Sequence, residues 1–314
     1  MFRKKICILL LVLISKWIVA QPNKGRQTYI SVQDDVSITI DQSASFSKSA
    51  STVIILYALP NGNTTAQTMG KKMQPGDDWH FDIQHIKAQT EFIRSEWKKK
   101  KIVVVYLENE YKSWPAWKAK HTDFKERVIA IVDTILWTIG AKNAELYLNG
   151  HSGGGRFIFS FLDAYNEVPG YVKRISFIDS NYGYDSTYYS KLANWLKASA
   201  THQLNVFAYN DSVALYNDKP VVSATGGTWW RSHRMLQDLS SDFKFEKIRD
   251  DSLIIYKNTD RRIQFFFKTN PDRKIYHTQQ VELNGFIHSI FCGTRYDSKK
   301  YQYYSTRAYD KMIE

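Results

Sequence analysis

The stretch Glu145-Leu146-Tyr147-Leu148-Asn149-Gly150-His151-Ser152-Gly153-Gly154-Gly155 decides the reading of this chain, because it runs as an apolar strand and then turns through glycines. Ser152 sits on that turn, flanked two residues away by Gly150 and Gly154. Small residues at those two positions let the backbone bend tightly enough to lift a hydroxyl above a sheet edge. With glycine and serine each near ~7% of an average composition, the bare spacing arises by chance in about one chain in ten of this length, so its context has to carry it. Here a buried-type strand precedes the turn, and Arg156-Phe157-Ile158-Phe159-Ser160-Phe161-Leu162 follows with helical spacing of its apolar side chains. That is the order of strand, elbow and helix that a nucleophilic serine on a turn requires. A structural glycine-rich turn is the competing reading.

Outward from the elbow, strand and helix patterns alternate. Upstream, Thr28 to Val32 and Val36 to Ile40 alternate like half-exposed strands around a turn at Gln33-Asp34-Asp35. Thr52 to Ala58 and Ile102 to Leu107 are continuous apolar runs of the kind buried on both faces. Between them, Pro75-Gly76-Asp77-Asp78-Trp79 opens a helical pattern that extends to Trp97 and stops at the basic run Lys98 to Lys101. Glu108 to Trp117 reads as a loop, and Phe124 to Ile139 has helical spacing that Gly140 ends. Downstream, strands end at Asp179 and at Asn210-Asp211, with a helix near Lys191 to Ala198 between them. Gly226-Gly227-Thr228 caps a helix from Trp229 to Leu239, and Leu253 to Tyr256 with Arg262 to Phe267 forms a hairpin or the final strands. From Lys299 the pattern predicts a terminal helix. Such alternation predicts an α/β protein, a three-layer α/β/α sandwich on a mostly parallel central sheet of about eight strands.

Composition bounds the rest. Arg3-Lys4-Lys5 followed by the apolar run Ile6 to Ile14 has the build of a secretory signal peptide ending at Ala20, and Lys16 cuts that run short of the ~20 residues a membrane span needs. Residues 21–314 are then expected to form one domain in a secreted or periplasmic protein with no stable membrane span, since no linker, repeat or low-complexity tract divides them. Loss of the leader lowers the net charge from +12 to +8, still basic. A scattered surplus of lysines describes a solvated face as readily as an anionic partner. Only Cys292 would survive cleavage, so no internal disulfide is available and the core must supply stability. No Walker loop, dinucleotide fingerprint or nucleic-acid module is present, and His80 and His85, five apart, share no helix face suited to a metal. Neither a cofactor, a metal nor a nucleic acid is expected.

With the elbow and the order of elements in view, the chain resembles the α/β-hydrolases, Gly150-His151-Ser152-Gly153-Gly154 standing as the nucleophile elbow. The resemblance covers most of residues 21–314 and implies a serine hydrolase. A serine hydroxyl needs a base to take its proton, and the base needs an anion to orient it. The family's chain order of serine, acid, histidine points to His288 in Asn284-Gly285-Phe286-Ile287-His288-Ser289 as the base, with His277 and then His233 as rivals. The acid is either Asp179 or Asp211, each at a strand end, with a lean to Asp179. The oxyanion donors implied are Gly153 and one of Asn61 or Gly62 in Leu59-Pro60-Asn61-Gly62-Asn63, a loop that departs from the His-Gly-Gly-Gly type of many lipases. Around Ser152 the expected substrate contacts are His151, Trp114, Tyr182 and Trp229, whose rings suit sugars or aryl groups and equally suit closing the core. No large insertion follows the sixth strand, so the site should be open. The resulting expectation is cleavage of a small or polymeric ester, an acylated glycan among the candidates. A peptidase or amidase of the same fold, or an inactive binding protein, are the alternatives.

Overall fold

The computed structural model describes residues 25–43 and 51–314; the leader read in residues 1–20 lies outside them. Twelve strands occur along the described chain. They are β1 (Arg26–Gln33), β2 (Val36–Gln42), β3 (Ser51–Ala58), β4 (Lys100–Asn109), β5 (Glu145–His151), β6 (Val172–Ile178), β7 (Gln203–Tyr209), the two-residue β8 (Leu215–Tyr216) and β9 (Lys219–Pro220), β10 (Phe245–Arg249), β11 (Leu253–Asn258) and β12 (Ile263–Lys268). All but β8 and β9 join one sheet in the order β1-β2-β4-β3-β5-β6-β7-β12-β11-β10. The six strands from β4 to β12 in that order run parallel, and antiparallel strands extend the sheet at both edges. The sheet is therefore ten strands wide rather than about eight. The excess comes partly from β10, whose sequence Phe245-Glu246-Lys247-Ile248-Arg249 is largely exposed and charged, as edge strands tend to be.

The central strands read as unbroken apolar runs because both faces are covered. Along β3, Ile54, Leu56 and Ala58 enter one core, while Val53, Ile55 and Tyr57 enter the other. The helices are α1 (Thr65–Met69), α2 (Ile86–Glu96), α3 (Trp114–Lys120), α4 (Phe124–Ile139), α5 (Gly155–Ala164), α6 (Tyr189–Ala198), α7 (Thr228–Leu239), α8 (Gln279–Glu282) and α9 (Gly285–Phe291). Residues of α3 to α7 fill the first core and those of α2 and α9 the second, which makes the three layers. No helix among the described residues is long and apolar enough to cross a membrane.

Three local expectations change. The helix opened by Asp78 is only a single 3₁₀ turn, Trp79–Asp82, and the chain breaks at His85, in the left-handed region at φ 46°, before α2 begins. The loop after β4 contains α3, started by the Ser113 hydroxyl accepting the Ala116 N–H and by Pro115 in the first turn. The segment after Lys299 is irregular apart from the turn Asp310–Met312. Its tyrosines bind it down instead, Tyr301, Tyr303 and Tyr309 being buried in the second core.

Candidate active site

β5 delivers Ser152 to the sheet's carboxyl edge, and the turn there holds Ser152 at φ 54°, a left-handed conformation that a side chain adopts only under constraint. The constraint is the close approach of α5 to the sheet. A Cβ on Gly154 would overlap the Ala58 carbonyl at the end of β3, so only glycine lets the helix start there. The Asn61 side chain lies against Gly153 in the same way, which brings the loop after β3 over the elbow.

Asp179 ends β6, is wholly buried, and is itself left-handed at φ 42°. Its Oδ2 accepts a hydrogen bond from His277 Nδ1 at 2.5 Å. His277 belongs to the loop between β12 and α8, and its backbone carbonyl accepts from His151 Nε2 at 3.1 Å. The His151 and His277 rings lie 4.5 Å apart, so the residue before Ser152 and the histidine held by Asp179 are neighbours. Burial first, and then the His277 ring, hold His151 well below the ordinary imidazole range. His151 is thus a neutral ring with its proton on Nε2, and its buried Nδ1 has no partner. It supports the His277 loop from beneath and offers no surface to a substrate.

The structure does not bring His288 to the elbow. That ring lies in α9, buried, with Nδ1 2.8 Å from the Tyr301 hydroxyl and packed on Phe207, Phe266 and Tyr303. Burial lowers it to about 4, which describes a neutral core histidine. Asn284-Gly285 suggested a free loop but serves packing, because a Cβ on Gly285 would overlap the Gln280 carbonyl. The signal for His277 was its position in the first loop after the last sheet strand. His233 is also accounted for, lying on Phe267 with Nδ1 against the Trp229 carbonyl.

Both candidate acids converge on Thr228. Its hydroxyl donates to Asp179 Oδ1 and lies 3.2 Å from Asp211 Oδ2. Asp211 caps α7, accepting the backbone N–H of Thr228 at 2.7 Å and of Trp229 at 3.4 Å. Burial, with the Asp179 charge adding to it, raises Asp211 to about 6. Asp179 therefore contacts the histidine directly, whereas Asp211 reaches it only through Thr228 and Asp179.

A cavity of about 300 Å³ opens over Ser152, lined by Asn61, Pro115, Gly153, Arg156, Tyr182 and Gly183. Tyr182 is there as expected. Two other expected contacts are not. Trp114 is buried against Phe157 and Trp117, with ring centroids 4.7 and 5.3 Å away, because it opens α3 facing the core. Trp229 packs on His233 and Phe267. Of the oxyanion candidates, Gly153 and Asn61 line the cavity, but the Gly62 N–H is committed to the Lys112 carbonyl at 2.8 Å. Pro115, Arg156 and Gly183 are the lining residues that the sequence did not single out. Among the described residues there is no group of three or more His, Cys, Asp or Glu side chains placed to hold a metal.

A parallel-centred sheet covered on both faces, with a left-handed serine on a glycine elbow after β5, is the α/β-hydrolase fold. A mutant feruloyl esterase module from Clostridium thermocellum, complexed with sinapinate, superposes with a TM-score of 0.52 at 10% identity over 90% of this chain and 92% of that one. An S-formylglutathione hydrolase from Agrobacterium tumefaciens gives 0.45 at 11% identity, over 88% and 98%. A glucuronoyl esterase from Solibacter usitatus gives 0.43 at 11%, over 90% and 87%. No protein-family model matches the sequence, and neither does any curated protein.

Proposed function

We propose that this chain is a serine hydrolase that cleaves esters through an acyl-enzyme on Ser152. The observation that carries the reading is the 2.5 Å bond from His277 to buried Asp179, with the His277 ring 4.5 Å from that of His151, the residue before a serine held left-handed on its elbow. Ser152 Oγ attacks the ester carbonyl carbon and its proton passes to His277 Nε2, the nitrogen left free by Asp179. Asp179 stabilises the imidazolium. The backbone N–H groups of Gly153 and Asn61 receive the developing oxyanion. The protonated His277 then gives its proton to the leaving alcohol, and water attacks the acyl-enzyme by the reverse route. An open, partly polar cavity suits an ester, and the feruloyl esterase module whose fold this chain shares adds support for ester over amide.

Intact-mass detection of a fluorophosphonate adduct tests the reading. One adduct is expected on the folded protein and none on Ser152→Ala. No adduct on the folded protein, or an adduct that persists in Ser152→Ala, overturns it. The basic, then apolar start Arg3 to Ile14 supports export, for which the expected mature terminus in an exporting host is Gln21. A product retaining Met1 and remaining with the cells would refute export.

A further inference from the structure

We infer that the cavity over Ser152 selects esters carrying a carboxylate, which Arg156 receives; this rests on the hydrolase reading above. From His151 to Leu162 every residue is buried except Ser152 and Arg156. Ser152 stands on the elbow turn and Arg156 in the first turn of α5. Both line the same cavity. Of the residues lining it, Arg156 alone carries a charge, the Tyr182 hydroxyl being pushed far above its ordinary range by burial and then by Asp179. Among the described residues no carboxylate forms an ion pair with the Arg156 guanidinium, although nearby lysines are engaged, Lys118 by Asp163 for example. A half-exposed guanidinium with its fork uncommitted, in the cavity that Ser152 lines, is arranged to accept a carboxylate through two parallel N–H···O bonds. The two groups meet in one cavity of about 300 Å³, so the carboxylate should lie a few bonds from the scissile ester rather than adjacent to it.

Two pairs of chromogenic or aryl esters test this and locate the anion. In the acyl pair, the 4-nitrophenyl monoester of glutaric acid is compared with 4-nitrophenyl pentanoate. In the alcohol pair, 4-acetoxybenzoate is compared with 4-methylphenyl acetate. The readout is the ratio of kcat/KM for the anionic ester over the neutral one. Wild type should favour the anionic member of one pair by ~10- to 100-fold, the range of a charge-assisted bond. Arg156→Gln should bring that ratio to about 1, and Arg156→Lys, a point charge without the fork, should restore part of it. The preference should also shrink as salt is raised. A wild-type ratio near or below 1 in both pairs, or a ratio unchanged in Arg156→Gln, overturns the inference. Formation of the fluorophosphonate adduct in the same preparation separates the two failures. An adduct without anionic preference sinks this inference alone, whereas no adduct sinks the hydrolase reading and this one with it.

Discussion

The two aspartates joined by Thr228 can be told apart by replacing each with asparagine. Asp179 is fully buried and accepts from His277 Nδ1 and from the Thr228 hydroxyl. In Asp179→Asn the amide can turn its NH₂ toward Nδ1, which leaves the imidazole proton on Nε2, facing away from Asp179, where Ser152 needs an acceptor. The anion that stabilises the imidazolium is lost as well. The expected fall in kcat is about 10⁴-fold, or about 5 kcal/mol of transition-state stabilisation. Asp211→Asn keeps an oxygen for the Thr228 N–H and leaves the Asp179 to His277 bond untouched, so kcat should change by less than ~10-fold. Turnover of a 4-nitrophenyl ester, normalised to enzyme competent for fluorophosphonate labelling, is the assay, with urea unfolding run on each variant to establish that it is folded. Near-normal kcat in folded Asp179→Asn, or collapse in Asp211→Asn, would refute the assignment.

Further outcomes follow from the same geometry. Asp211 releases its proton near 6 in the fold against ~3.9 in the unfolded chain, so its contribution to stability is full below pH ~4 and is lost as pH rises through 6. Urea unfolding should accordingly show the stability of wild type relative to Asp211→Asn falling by about 2 kcal/mol between pH 4 and 7, and a constant difference would remove the claim. His277→Ala should abolish ester turnover and cost about 1–3 kcal/mol, because it leaves wholly buried Asp179 without that donor, while His288→Ala should lower stability by about 2–4 kcal/mol and retain turnover where it stays folded. Gly154→Ala should cost upwards of about 2 kcal/mol in urea unfolding, because its Cβ meets the backbone carbonyl of Ala58, which has no soft way to move. Burial pushes the Cys292 thiol far above its ordinary range, so a disulfide-exchange reagent should reach it only as fast as the protein unfolds.

What the sequence disclosed depended on how local the determining physics was. The elbow and the central strands were legible because their requirements are met within about ten residues: glycines where α5 meets β3, and apolar runs where both faces are covered. Asp179 was legible as a strand end for the same reason. His288 and His277 could not be separated locally, since both follow the last strand and the glycine beside His288 imitates a loop while serving contact with Gln280. Trp114 looked like a ring on a loop because the start of α3 at Ser113 and Pro115 was not read as one.

The segment after Lys299 shows how spacing could have corrected one of these errors. Tyr301 and Tyr303 are buried and Gln302 between them is exposed, a period of two that belongs to extended chain and not to a helix. The Asp179, Thr228 and Asp211 cluster had no such local trace. Its members are drawn from the ends of β6 and β7 and the start of α7, and only the parallel register of β6 against β7 sets the two carboxylates on one edge, close enough for a single hydroxyl to span them. The Asp179 charge adds to burial in raising Asp211's cost of ionisation, and the α7 amides offset part of that cost. Removing the Asp179 charge should therefore be felt at Asp211, a coupling that follows from the folded geometry and has no counterpart in the spacing of residues 179, 211 and 228 along the chain.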